Sequence, residues 1–108
     1  MSGWVLLALA IIAEVMGTVA LQLSDGFRRL VPAAVVVVGY GISFWLLALT
    51  LQRLEIGVTY AIWAGVGTAL VAIIGAVFLG EPVNGAKVVG VILVIAGVVS
   101  LELGSQAA

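Results

Sequence analysis

One carboxylate lies where carboxylates are costly. Glu14 sits near the middle of an apolar run from about Trp4 to Leu23, with no Lys or Arg within two helical turns. A charged Asp at the centre of a membrane helix costs about 2.5–3.5 kcal/mol on insertion scales, and Glu is comparable. Such a group either carries a proton, meets a cation, or stays protonated and hydrogen-bonds a neighbouring helix. The other acidic residues do not compete. Asp25, Glu55 and Glu81 fall in polar breaks, and Glu102 falls at a run end, where it can snorkel. The chain has no His and no Cys. It therefore lacks the commonest general base, a thiol nucleophile and the usual metal ligands. An enzyme, a metal site and a bound cofactor are not expected.

Other residues have the chemistry to share a site with Glu14. Ala10, Gly17 and Thr18 share its helical face at i−4, i+3 and i+4. All are small, leaving room for a ligand or for a second helix. Tyr40, Ser43, Phe44 and Leu47 fall on one face of the second run, and the hydroxyls of Tyr40 and Ser43 could reach a carboxylate. Ordinary interhelical hydrogen bonding is the alternative for that pair. Tyr60 and Trp63 stand at i, i+3 in the third run. Aromatic faces attract cations, more so where water is excluded; an interfacial aromatic belt is the other reading. Gly65 and Gly67 follow within one turn and invite a helix bend. The fourth run has no polar centre. It carries a small-residue stripe, Ala86, Gly90, Gly97, Ser100 and Gly104. Such stripes let helices pack closely. The stripe reads as a dimerisation face, with packing inside the protomer as the alternative.

The elements that position these residues follow from composition. Of 108 residues, 65% are hydrophobic and 8% charged, against about 25% charged in an average globular chain. A soluble chain this short buries only about 60–70% of its surface, too little to hide so much apolar side chain. Lipid must be the solvent. Spans are expected at about 4–23, 32–51, 58–79 and 86–103, making one four-helix transmembrane domain, all-α. Pro32 is placed at the start of the second helix, and the tail Gly104-Ser105-Gln106-Ala107-Ala108 is expected to fray. Barrel strands would be about ten residues long and alternating; these runs are neither. The net charge of −1 leaves no basic patch for nucleic acid.

Arg28, Arg29 and Lys87 fall on one side of the membrane and Arg53 on the other. Loops one and three are thus weakly favoured in the cytoplasm, and so small a bias would permit insertion both ways. Four helices are too few to enclose a solute path. A dimer of eight helices would suffice, and it would hold two Glu14 carboxylates.

These residues resemble the small multidrug resistance family of bacterial transporters. The likeness is carried by Ala13-Glu14-Val15-Met16-Gly17-Thr18, Gly26-Phe27-Arg28-Arg29-Leu30, Ser43-Phe44-Trp45-Leu46-Leu47 and Tyr60-Ala61-Ile62-Trp63-Ala64-Gly65-Val66-Gly67, with Gly90 and Gly97 matching the fourth-helix glycines. The resemblance implies a multi-pass protein of the bacterial inner membrane and an antiparallel homodimer that exchanges protons for exported cations. It places the shared proton and substrate site on Glu14, aromatic pocket roles on Tyr40, Tyr60 and Trp63, and a polar neighbour of the glutamate on Ser43. It places the third-helix bend on Gly65 and Gly67. Guanidinium exporters of the family typically have a Trp three residues after the glutamate. Here Gly17 and then Thr18 stand there, as in the subtype exporting quaternary ammonium and other lipophilic cations. A small residue at Gly17 would widen the pocket. Gln22 stands where the family usually has a Lys. The rival readings are a guanidinium exporter of the same architecture and a non-transporting subunit, such as half of a heterodimer.

Overall fold

The computed structural model describes residues 2–107, which form four α-helices: α1 (Gly3–Leu23), α2 (Leu30–Leu51), α3 (Ile56–Phe78) and α4 (Gly85–Ala107). Each has 21 to 23 residues. At about 1.5 Å per residue each spans the roughly 30 Å hydrocarbon core of a bilayer. No strand occurs among the described residues. The outward surfaces are apolar to a degree that water would not tolerate: Leu30 is 83% exposed and Phe78 77%. The protein is an all-α integral membrane protein. The helices form two compact units, α1 with α2 and α3 with α4.

In the first unit, α1 begins on Ser2, whose hydroxyl accepts from the Val5 N–H at 3.2 Å and so satisfies one of the orphan donors of a helix start. α1 ends at Ser24, fully buried. Its hydroxyl donates to the Leu21 carbonyl at 2.8 Å and accepts from the Phe27 N–H at 3.1 Å. That clamp supports a turn in which Asp25, Gly26 and Phe27 all have positive φ, a conformation that costs non-glycine residues about 1–2 kcal/mol each. α2 starts at Leu30, two residues before the expected start. Pro32 is therefore its third residue. Its missing N–H is still harmless, because the first turn has no intrahelical acceptor for those groups; the first α-helical bond runs from Ala33 N–H to Arg29 C=O.

In the second unit, the α3–α4 turn is closed at Gly80, whose φ is +69°, and by the bond from Glu81 N–H to Gly75 C=O at 3.0 Å. This is the left-handed glycine stop common at helix ends. Asn84 then caps α4, its side chain accepting from Lys87 N–H at 2.9 Å. α3 and α4 run antiparallel and pack tightly at Gly65, where an added Cβ would lie 2.6 Å from Val98 Cγ2. Towards the turn a groove of about 590 Å³ opens between them, lined by residues such as Thr68, Ala72, Val83, Val91 and Gly90. None of the residues expected around Glu14 lines this groove. The expected fraying of the tail does not occur over the described residues: α4 continues through Gly104 and Ser105 to Ala107. No proline interrupts it, and each further turn pairs its own backbone. Ala108 lies outside the described residues.

Candidate proton and cation site

α1 and α2 are antiparallel, and three sets of contacts fix their register around Glu14. The first is Ser43, fully buried, whose hydroxyl donates to the Ala10 carbonyl at 2.8 Å. The second is a close backbone crossing. A Cβ on Gly39 would lie 3.1 Å from the Ala13 carbonyl oxygen and 3.2 Å from Gly17 Cα. The third is the Tyr40 ring on Gly17, where a Cβ would lie 2.8 and 2.9 Å from two ring carbons. Any side chain at position 17 would push the ring away.

The ring placed on Gly17 delivers its hydroxyl to Thr18. Thr18 Oγ1 and Tyr40 Oη are 2.8 Å apart, and Thr18 Oγ1 donates to Glu14 Oε1, also at 2.8 Å. Glu14, Thr18 and Tyr40 are all half-buried. The carboxylate is thus held by a neutral hydroxyl and remains partly exposed.

Five of the residues expected around Glu14, Ala10, Gly17, Thr18, Tyr40 and Ser43, are gathered by this unit, with roles finer than their spacing suggested. Tyr40 reaches the carboxylate through Thr18. Ser43 does not bond Glu14; its hydroxyl ties α2 to the turn of α1 below it. Gly17 does not leave open space, because the Tyr40 ring fills it. Gly39 was not singled out from the sequence; its position beside Tyr40 was the only available signal.

The aromatic pair on α3 is assembled as its spacing suggested. Tyr60 and Trp63 meet edge to face, with centroids 5.8 Å apart and planes at 65°, a favoured aromatic geometry. Tyr60 is 61% exposed and Trp63 half-buried. One residue before Tyr60, the fully buried Thr59 hydroxyl has no hydrogen-bond partner among the described residues. Helix α3 passes through Gly65 and Gly67 without interruption. On α4, a Cβ added at Gly90, Gly97 or Gly104 would meet nothing within 4 Å, and no described residue of that helix is buried.

The family model described as Small Multidrug Resistance protein matches residues 2–94. The chain belongs to this family. Its relatives include the quaternary ammonium compound-resistance protein QacE of Escherichia coli, 43% identical over 107 residues, covering 99% of this chain and 97% of that one. The quaternary ammonium compound-resistance protein QacF of Klebsiella aerogenes is 44% identical over 106 residues, 98% of this chain and 96% of its own. The multidrug resistance protein mmr of Mycolicibacterium paratuberculosis is 46% identical over 101 residues, 93% of this chain and 94% of its own. Membership in the small multidrug resistance family, together with the four spans, makes this a multi-pass protein of the bacterial inner membrane.

Proposed function

We propose that this small multidrug resistance protein is a proton-coupled antiporter that exports quaternary ammonium and other lipophilic cations, with proton and cation competing for Glu14. The observation that carries the reading is the position of Glu14. It is the only carboxylate in α1 and α2, it lies mid-span, and it is bonded by a neutral hydroxyl that stabilises negative charge without cancelling it. The relatives named for quaternary ammonium resistance support the substrate class. A quaternary ammonium ion has no N–H to donate, so a carboxylate paired with aromatic faces suits it better than a hydrogen-bonding cage; in this reading Tyr40, Tyr60 and Trp63 are the aromatic residues that meet the cation.

The transporting unit in this reading is an antiparallel homodimer of eight helices, each protomer one four-helix domain, and a bend at Gly65 and Gly67 accompanies the change of access. The open glycine face of α4, with Gly90 and Gly97 two turns apart, supports a contact with a second chain. Two protons exchanged for one monovalent cation move one net charge inward. A potential of 100 mV then supplies about 2.3 kcal/mol, and one pH unit on two protons about 2.7 kcal/mol. Together they would sustain a cation gradient of roughly three to four decades.

The test is proton release from the detergent-solubilised protein on adding tetraphenylphosphonium. Release in the wild type and none in Glu14→Gln, with the dimer retained, is expected. Wild-type release by the variant rejects the mechanism. Flux of guanidinium compared with tetraphenylphosphonium separates the guanidinium-exporting alternative. Release by the purified single chain counts against an obligate heterodimer.

A further inference from the structure

We propose that Thr18 is a positioning residue that couples Tyr40 to the protonation state of Glu14, by reversing the direction of the hydrogen-bond chain that joins the three side chains. The proposal rests on Glu14 as the proton site. The geometry is two consecutive bonds of 2.8 Å, Glu14 Oε1 to Thr18 Oγ1 and Thr18 Oγ1 to Tyr40 Oη.

Donor counting sets the direction. An ionised carboxylate only accepts, and a threonine hydroxyl has one hydrogen. With Glu14 ionised, Thr18 must donate to Glu14. Tyr40 must then donate to Thr18, so its hydrogen points into α1 and its oxygen lone pairs face outwards. When Glu14 takes a proton, Oε1 and Oε2 are not equivalent. Oε2 has no hydrogen-bond partner among the described residues, whereas a proton on Oε1 finds Thr18 at hydrogen-bond distance. The neutral acid then donates to Thr18, Thr18 turns to donate to Tyr40, and the Tyr40 hydrogen turns away from α1. Each hydroxyl only rotates about its C–O bond, and no proton leaves its oxygen.

The surroundings hold the chain ready for this reversal. The Tyr40 ring is seated on Gly17, and the helices are locked in register at Gly39 and by Ser43 on Ala10. Glu14 is the only titratable side chain of α1. Tyr40 is the only one of α2, the element packed against it. No other charged group on these helices competes to set the direction. Tyr40 therefore offers an oxygen to a cation when Glu14 is ionised and a hydrogen when it is protonated. Exclusion of cation by proton thus extends beyond the carboxylate, through Thr18, to Tyr40.

The experiment uses the full chain in bilayers with Tyr60→Phe, which leaves Tyr40 as the single tyrosine. Carbon-13 is placed at the tyrosine ζ carbon and the glutamate δ carbon, and both signals are followed by NMR through a pH titration. Loss in Glu14→Gln assigns the Glu14 signal. The Tyr40 signal is expected to move in step with Glu14, to stop moving in Thr18→Val while Glu14 still titrates, and to recover in Thr18→Ser. A Tyr40 signal that stays fixed while Glu14 titrates, or that follows Glu14 equally in Thr18→Val, overturns the coupling alone. A Glu14 signal that never titrates overturns the proton-site reading and the coupling with it. A second measurement does not depend on Thr18→Val folding. The ratio of tetraphenylphosphonium affinities at high and low pH is expected to fall roughly two- to tenfold in Tyr40→Phe, the scale of one hydrogen bond. Adding Thr18→Ser to Tyr40→Phe should change it no further. An unchanged ratio in Tyr40→Phe also rejects the proposal.

Discussion

At the scale of single residues, the site depends on what is absent from position 17 as much as on what stands at position 14. The Tyr40 ring occupies the space that a side chain at Gly17 would need, and that seat brings the Tyr40 hydroxyl to Thr18. Gly17→Trp is expected to displace the ring and to reduce tetraphenylphosphonium transport more than guanidinium transport, measured as flux into vesicles. Equal losses would leave Gly17 a packing residue only. The Tyr60–Trp63 pair offers flat faces meeting edge to face. Trp63→Ala is expected to weaken aromatic cations roughly two- to thirty-fold by equilibrium binding, from a cation–π interaction of about 0.5–2 kcal/mol. Substrate-independent proton binding should survive, because Glu14 is untouched.

At the scale of elements, the α1–α2 pair is held by backbone proximity and by two side-chain hydrogen bonds, the buried one from Ser43 to the Ala10 carbonyl and the part-buried one between Thr18 and Tyr40. Lipid offers no hydrophobic drive between helices, so close packing and interhelical hydrogen bonds must hold them. Ser43→Ala removes the bond to the Ala10 carbonyl. The expected loss is about 0.6–2 kcal/mol, read as reduced resistance to unfolding in mixed micelles, with cation binding retained. A variant that is fully stable but has lost binding would instead make Ser43 a direct ligand. The α1–α2 hairpin also shows how much of an element was legible beforehand. The span of α1 followed from apolar length alone, and the early start of α2 did not, because Pro32 is equally acceptable anywhere in a first turn.

At the scale of the whole molecule, an added Cβ at Gly90, Gly97 or Gly104 of the α4 stripe would meet no described residue within 4 Å. Gly97→Leu is expected to shift the protein from dimer towards monomer in mild detergent, measured by light scattering, and to reduce cation binding with it. Gly90→Leu should do so to a lesser degree, since Gly90 also borders the α3–α4 groove. A bulk control on α4 must lie off the stripe and clear of α3; Val94 does not, because its Cγ1 would lie 3.4 Å from a Cβ added at Gly65. Val99→Leu, on an exposed part of α4 away from the stripe, is suitable and should be tolerated. If Gly97→Leu remains a dimer with unchanged affinity, the α4 stripe is not the contact.

What the amino-acid sequence determined by itself was the solvent, the number of spans and the identity of the charged centre. Each rests on a large, local energy. Apolar runs of this length have no stable place in water, and a lone mid-span glutamate stands out by its insertion cost. Family membership was legible for the same reason, since its motifs are contiguous around those positions. The tertiary structure decided the partners. Spacing put Ser43 and Tyr40 on one face but did not tell which hydroxyl serves the carboxylate. The answer depends on the depth at which α1 and α2 cross, and that depth is set by Gly17 and Gly39 touching across the pair. Spacing likewise marked Gly17 as small without saying what fills the space. A helical face lists candidates, but only the approach of the second helix, to within a few tenths of an ångström, selects among them.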